Sequence, residues 1–319
     1  MAAPVVAVTE ALDTPCAEWL ATHATVAWLP MEDRPALLAG LNGAEGLVVR
    51  TYTRVDDALL EAAPKLRVVG RGGVGLENID LDSCRRRGIS VVYTPDANTE
   101  AVVEYVFAAL LGWLRPAHWM EGAVNAERWS ELRATIVGER QLNELTIAIL
   151  GLGRIGTRVG QVGSALGMRV LGYDLLPKDE IMHRVNYPLE FVEPARLYEE
   201  ADVLSLHVDG RPENRGLIGA DALAALKPSC LVVNTSRGMV VDPWALAAWA
   251  RLAVLQGGGA TLDVHEPEPF GTDYPLLGLP SVRLSPHLAS RTVTAMRNMS
   301  WVVRDVVEVL QGRPPRYPA

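Results

Sequence analysis

Three short stretches in the second half of the chain concentrate reactive side chains. "LDVHEPEPF" places Asp263, His265, Glu266 and Glu268 close together, with Pro267 and Pro269 on either side of Glu268. "CLVVNTSRGMVVD" follows a β-branched apolar run with Arg237, and "VRLSPHLAS" follows another with His287. A histidine within hydrogen-bond reach of a carboxylate makes an acid–base pair. A histidine with two carboxylates could instead hold a metal ion, and the same residues could simply line a polar loop. The prolines stiffen the loop and argue against convergence of His265, Glu266 and Glu268 on one ion. Arginine contributes a planar, permanently charged fork that matches a carboxylate.

A fourth stretch, "TIAILGLGRIGTRVGQVGSALG", carries G-x-G-x-x-G at Gly151, Gly153 and Gly156, after a strand-like run and at the opening of a helix-like one. In that context the first glycine permits a tight turn. The second lets backbone approach a pyrophosphate, and the third lets helix and strand pack closely. The helix start then offers free N–H groups and a positive dipole end to the phosphates. The next strand-like run ends in Asp174, 18 residues past Gly156. A carboxylate there accepts from the adenosine ribose hydroxyls and repels a 2′-phosphate, which favours NAD over NADP; Lys178 lies close by and softens the preference.

The elements that must carry these residues alternate. Strand candidates lie at 5–8, 25–29, 46–50, 67–70 and 89–94, with amphipathic or Ala/Leu-rich stretches between them. After the long apolar segment "TEAVVEYVFAALLGWLRPAHW" and a loosely patterned polar stretch (121–144), six more strand candidates lie at 146–150, 169–174, 203–208, 230–235, 260–264 and 282–286. This order predicts an α/β protein with two parallel sheets covered by helices on both faces. Ligands of such sheets gather at the carboxyl ends of strands, where Arg237, Glu268 and His287 would meet. The segment "TVTAMRNMSWVVRDVVEVLQG" predicts one closing helix, stopped by Gly312 and two prolines.

The chain has 319 residues, 49% of them apolar, and a formal net charge of −8, which suits two buried cores and argues against an electrostatic grip on nucleic acid or anionic membrane. The "CRRRG" run at Cys84–Gly88 reads as a solvated helix end. Three widely spaced cysteines fit a reducing compartment, the cytoplasm, and no zinc or disulfide framework. No signal peptide, membrane span or further regulatory domain is expected.

Taken together, "GRGGVGLENIDLDSCRRRGISV", "ILGLGRIG", "ADVLSLHV", "LVVNTSRGMVVD", "LDVHEPEP" and "SPHLAS" resemble, in the same order, the D-isomer-specific 2-hydroxyacid dehydrogenases. This family includes phosphoglycerate, glycerate and D-lactate dehydrogenases. The resemblance implies a Rossmann cofactor domain at 99–288 and a flavodoxin-like substrate domain at 1–98 and 289–319, both doubly wound. It implies a catalytic Arg237, Glu268 and His287, with His265 and Glu266 as bystanders, since the place of His265 is usually aromatic in the family. His287 would exchange the hydroxyl proton, Glu268 would hold its far nitrogen, and Arg237 would pair with the substrate carboxylate and polarise the carbonyl. Val74 and Gly75 would bind the same carboxylate through backbone N–H groups. Arg71, apart from the resemblance, is a candidate second anion contact with no spacing argument behind it. The cofactor would be NAD, touched by Gly151, Gly153, Arg154, Ile155, Gly156, Asp174, Thr235 and Asp263. Asp263 would accept from the nicotinamide amide, because a carboxylate in "ATLDV" has no other evident use on a buried strand.

The implied reaction is hydride transfer between the nicotinamide and a small D-2-hydroxy or 2-oxo acid, such as 3-phosphoglycerate, glycerate or hydroxypyruvate. The alternatives are another small anion such as phosphite, or an NAD(H)-sensing corepressor-like protein. No metal, nucleic acid or membrane partner is implied. A homodimer is, with Trp113 and Trp119 on the long helix as a candidate face. Two departures stand out: "HVDGRPENRG" replaces the family's apolar-proline-threonine version, and Ala289 and Ser290 replace paired glycines after the histidine.

Overall fold

The computed structural model describes residues 3–136 and 140–319. The chain divides into two compact units: residues up to Ala101 together with Ser290–Ala319, and Val102–Ala289. The first exchange of units falls three residues beyond the sequence expectation, inside the helix Thr99–Leu114, and the second falls one residue beyond it.

The first unit is built on five parallel strands, β1 (Val5–Val8), β2 (Thr25–Trp28), β3 (Gly46–Val49), β4 (Val68–Arg71) and β5 (Ser90–Tyr93), in the order β2-β1-β3-β4-β5. Side chains alternate between its faces. Ala7, Leu47, Val49 and Val69 enter a core with Leu37, Leu59 and Leu60, while Val6, Val8, Val48, Val68 and Val92 enter another with Val302, Val303 and Val306. The two-sided burial explains why these strands read as continuous apolar runs. The helix Val302–Leu310 buries Val302, Val303, Val306, Val307 and Leu310, one stripe at helical spacing. It lies so close to β4 that a Cβ on Gly70 would stand 2.4 Å from Val306 Cγ2.

The expected single closing helix is two, Val293–Ser300 and Val302–Leu310. The break has a local cause. Ser300 Oγ donates back to the Met296 carbonyl (2.9 Å) and accepts from Asp13 N (3.0 Å), and Trp301 between the two helices has ψ −2°, well above the ideal helical value.

The second unit carries seven parallel strands: β6 (Thr146–Leu150), β7 (Arg169–Tyr173), β8 (Glu190–Phe191), β9 (Val203–Leu206), β10 (Leu231–Asn234), β11 (Gly259–Leu262) and β12 (Val282–Leu284), in the order β12-β11-β10-β9-β6-β7-β8. The strand order reverses between β6 and β9, the topological switch point at which such sheets bind ligands. Six of the strands match the sequence reading. The short edge strand β8 was not anticipated, because its two residues lack a β-branched run. Its edge is held by charge: Arg169 bonds Glu190 (2.7 Å) and Glu200 (2.5 Å), and Arg196 bonds the same two carboxylates.

The long apolar segment is helical over Thr99–Leu114 and stops two residues before Pro116. Within the loosely patterned stretch, a helix forms over Ala126–Thr135, capped by Asn125, with no buried residue; residues 137–139 lie outside the described residues. Cys16, Cys84 and Cys230 are buried free thiols. Among the described residues, no helix is long and apolar enough to cross a membrane.

Candidate active site

The glycine turn joins β6 to the helix Arg154–Ala165. Gly151 has φ +95°, and a Cβ there would meet the His207 backbone at 2.7 Å. A Cβ on Gly156 would stand 1.9 Å from the Gly151 carbonyl oxygen, so only glycine lets helix and turn pack this closely. Gly153 differs from both, since its missing Cβ faces open space, with nothing within 4 Å. It is the N-cap, and the N–H groups of Arg154, Ile155 and Gly156 lie in the first turn of the helix. Asp174, just past β7, accepts from Leu152 N at 2.6 Å and Leu176 N at 2.9 Å, which fixes its carboxylate beside the turn. The Thr235 hydroxyl is buried with no hydrogen-bond partner among the described residues, a state that a bound polar group would relieve. An open glycine cradle, a helix start, an anchored carboxylate and this hydroxyl fit a dinucleotide.

The departing loop at 208–216 is self-organised. Asp209 receives Arg211 in a two-point ion pair (2.7 and 2.5 Å) and two bonds from the Asn214 amide. The Arg211 guanidinium, its charge backed first by Asp209 and more weakly by Asp174, holds the Asp209 carboxyl below its ordinary range.

Arg237 sits in the turn after β10. Asn234, fully buried at the strand end, shapes that turn: its Oδ1 accepts from Ser236 N and Oγ (3.0 and 2.8 Å), and its Nδ2 donates to the Arg237 carbonyl (2.9 Å). The Arg237 guanidinium is partly buried and donates to the Ser236 carbonyl (2.7 Å). A Cβ on Gly238 would lie 2.0 Å from the His265 carbonyl carbon, so the Arg237 turn rests directly on the backbone of the "HEPEP" loop. The glycine of "NTSRG" is the residue that allows this contact.

Glu268 and His287 meet. His287 Nδ1 is 2.8 Å from Glu268 Oε2, and Glu268 Oε1 accepts from His265 N at 2.7 Å. Burial would raise the Glu268 carboxyl, but the His287 ring, the His265 N–H and the neighbouring imidazoles outweigh it and hold the group below its ordinary value. An ionised carboxylate only accepts, so Nδ1 of His287 carries the proton and Nε2 is the nitrogen left to exchange one. Glu266 points elsewhere, into a two-point ion pair with Arg215 (2.5 and 2.9 Å).

His287 has φ +54°, the only left-handed non-glycine residue among those described, at a cost of about 1–2 kcal/mol for an L-residue. Asp263 holds it there. The Asp263 carbonyl accepts from His287 N (2.9 Å), Oδ1 accepts from Leu288 N (2.7 Å) and Ser285 Oγ (2.7 Å), and Oδ2 accepts from Ala289 N (2.7 Å). Ser285 Oγ is also 2.5 Å from the Tyr105 hydroxyl. The carboxylate in "ATLDV" thus has a use in the 285–289 turn besides the nicotinamide contact expected of it.

His265 packs as the aromatic residue it replaces would, with one addition. It is buried at 6% exposure between Phe270 and Tyr274, as an aromatic substitute would be, but its ring also bonds the Ser285 carbonyl (Nε2, 2.9 Å). This bond and the parts played by Tyr105 and Ser285 leave no spacing signal, because their partners lie 20 or more residues apart. The part played by Asn234 is local to the "NTSRG" turn. Among the described residues, no group of three or more His, Cys, Asp or Glu side chains could hold a metal ion.

Within the first unit, the loop after β4 runs through Gly72, Gly73, Val74 and Gly75. Gly73 has φ +147°, and a Cβ there would stand 1.3 Å from Arg71 Nη1, so the Arg71 guanidinium folds over it. The Arg50 stem packs against Gly72, 3.4 Å from where its Cβ would be. The Arg50 guanidinium is half-buried beside the Ala11 carbonyl (3.3 Å) and the Met296 sulfur (3.0 Å), and burial lowers its pKa first, with Arg291 adding to the effect.

Comparison with known proteins agrees with this geometry. The model of the family "D-isomer specific 2-hydroxyacid dehydrogenase, NAD binding domain" matches residues 107–289. The (S)-sulfolactate dehydrogenase of Chromohalobacter salexigens is 38% identical over 283 residues, 88% of this chain and 89% of that protein. The D-3-phosphoglycerate dehydrogenase of Mycobacterium leprae is 36% identical over 292 residues, 92% of this chain and 54% of that protein, so the chain spans about half the length of that relative. The crystal structure of D-lactate dehydrogenase from Aquifex aeolicus, complexed with NAD and lactic acid, superposes with a TM-score of 0.78 at 27% identity, covering 97% of this chain and 96% of that one. The chain belongs to the D-isomer-specific 2-hydroxyacid dehydrogenase family and is an NAD-dependent oxidoreductase of that type, acting on a small 2-hydroxy or 2-oxo acid.

Proposed function

We propose that Arg237, Glu268 and His287 are the catalytic groups of this oxidoreductase, and that it prefers NAD to NADP. The observation that carries the reading is the 2.8 Å contact of His287 Nδ1 with Glu268, on a turn held in a costly conformation by Asp263. The nicotinamide, when bound, supplies or accepts the hydride. His287 Nε2 donates a proton to the carbonyl oxygen of a 2-oxo acid, or takes it from the hydroxyl of a 2-hydroxy acid, while Glu268 steadies the charged ring. Arg237 pairs with the substrate carboxylate and draws electron density from the carbonyl. In the first unit, the N–H groups of Val74 and Gly75 serve as substrate-carboxylate donors. Gly151, Gly153, Arg154, Ile155 and Gly156 cradle the pyrophosphate, Thr235 meets the nicotinamide end, and Asp174 takes the ribose hydroxyls.

The first unit, whose 2-1-3-4-5 strand order is that of flavodoxin-like sheets, is the substrate-binding domain, and the second binds the cofactor. The preferred substrate is a three-carbon 2-oxo acid with a second anionic group. Its support is the pair of arginines, Arg50 and Arg71, packed around the glycine loop, together with two relatives named for a phosphorylated and a sulfonated acid. Buried free thiols support a reducing cytoplasm. Trp119 at 87% exposure, Trp129 at 53% and a helix with no buried residue support a second copy of the chain as partner, which light scattering would detect.

The test is a panel of pyruvate, hydroxypyruvate, phosphohydroxypyruvate and sulfopyruvate with NADH or NADPH, followed at the nicotinamide absorbance. His287→Ala should lose at least about a hundredfold in turnover while NADH binding stays nearly unchanged. If NADH binds and no 2-oxo acid reacts, the assignment of a catalytic triad fails and a sensing role replaces it. Phosphite oxidation with NAD is the remaining arm.

A further inference from the structure

His265 stands where an aromatic ring would satisfy the packing, yet it makes bonds that such a ring could not. Its neighbours are those of an aromatic residue: Phe270 at 4.7 Å and Tyr274 at 5.6 Å between ring centroids, both edge-to-face. Its ring Nε2, however, lies 2.9 Å from the Ser285 carbonyl. A carbonyl only accepts, so Nε2 carries a proton, and in the neutral ring Nδ1 is left to accept from the Tyr274 hydroxyl at 3.3 Å. The same Ser285 carbonyl accepts from His287 N at 3.0 Å, closing the turn that holds His287 at φ +54°. From its other end His265 donates its backbone N–H to Glu268 Oε1 at 2.7 Å, and Oε2 of that carboxylate takes His287 Nδ1.

One residue therefore grips both members of the Glu268–His287 pair. Its main chain fixes the carboxylate, and its side chain fixes the carbonyl on which the His287 turn closes. We infer that His265 is a positioning residue: its ring N–H to the Ser285 carbonyl locks the "HEPEP" loop to the "SPHLAS" turn and so sets the register of Glu268 against His287. The inference rests on the catalytic reading above.

The geometry also shows what a replacement can and cannot keep. Phenylalanine keeps the edge-to-face ring contacts with Phe270 and Tyr274 and loses only the polar bonds of the ring. Glutamine loses those contacts, but its amide nitrogen reaches about as far as Nε2 and can donate to the Ser285 carbonyl. If the bond matters, activity follows the donor; if only the packing matters, activity and stability follow the ring.

The experiment uses the full chain: wild type, His265→Phe, His265→Gln and His287→Ala, measured for kcat and KM across pH, NADH binding and thermal midpoint. For His265→Phe we expect kcat to fall about tenfold, because small misplacement of reacting groups is costly, with KM and NADH binding within about twofold. The midpoint of its kcat–pH profile should move by about half a unit or more, because a change in the spacing of Glu268 from His287 alters the interaction between the two charges. The thermal midpoint should stay near wild type. His265→Gln should recover most of kcat and of the wild-type profile despite a lower thermal midpoint. An unchanged kcat and pH profile in His265→Phe, or a loss of kcat in both variants that merely tracks thermal stability, overturns the inference. If wild type has no turnover, or His287→Ala keeps it, the catalytic reading fails first and this inference with it; if those controls behave and His265→Phe is silent, only the role of His265 fails.

Discussion

Asp263→Asn separates two uses of a buried carboxylate. Asp263 is 1% exposed, and its two oxygens receive Leu288 N, Ala289 N and Ser285 Oγ, each at 2.7 Å. Asparagine has one accepting oxygen. Placed to keep the two bonds to Oδ1, it turns an amide N–H toward Ala289 N, so a buried donor faces a donor. Leaving that N–H unsatisfied costs about 1–3 kcal/mol, and the two surviving bonds fall from charge-assisted to neutral strength, so the total is about 3–5 kcal/mol. That is a large share of a domain's usual stability, and a urea titration should read it as a lower midpoint with an unchanged slope. The same change frees the turn that keeps His287 left-handed, and kcat should fall between about ten- and a hundredfold. NADH affinity should move little. The opposite pattern, native stability with NADH binding weakened tenfold or more, would show that the carboxylate serves the nicotinamide and that the turn stands without it.

Three further outcomes are expected. Gly238→Ala puts a methyl 2.0 Å from the His265 carbonyl carbon, and the overpacking should cost about 1–3 kcal/mol and depress kcat, as denaturant titration and steady-state rates would show. Asp174→Ala should narrow the preference for NADH over NADPH, and an unchanged ratio of the two kcat/KM values would refute the ribose assignment. Burial would raise the Asp202 carboxyl, but Thr146 N–H, Arg140 and Lys227 outweigh it and hold it below its usual 3.8. A folded-state pKa below the unfolded one means the stabilisation is whole above about pH 4 and is lost as pH falls through the folded value. Urea midpoints should therefore drop on acidification below about pH 4, and Asp202→Asn should flatten that drop.

Much of the fold could be read in the residues because both sheets are buried on two faces, so that strands such as "TIAIL" and "GLVV" stand out as β-branched blocks between helical stretches. Where burial is one-sided or brief the signal fades: β8 is two residues at a charged edge, and the break at Trp301 depends on a serine bonding backward. Of the candidate site, the glycine turn declares itself because Gly151 and Gly156 each answer a steric demand while Gly153 leaves the helix start open. The choice of Glu268 over Glu266 rests on family resemblance; in the structure Arg215 pairs with Glu266 while Glu268 meets His287. The supporting bonds of Asp263, Ser285, Tyr105 and His265 were illegible, since they join segments that meet only after the sheet has formed.

The split course of the chain bears on how it is made. Val102–Ala289 is one continuous stretch, whereas the earlier sheet needs Val302–Leu310 to cover the face that carries Val48, Val68 and Gly70. During synthesis that oily face has no lid until Val302–Leu310 has been made, by which point the second unit has already received all of its own residues. The part begun first is thus finished last, and the nascent chain must keep a half-covered sheet from its neighbours on the polysome throughout that interval.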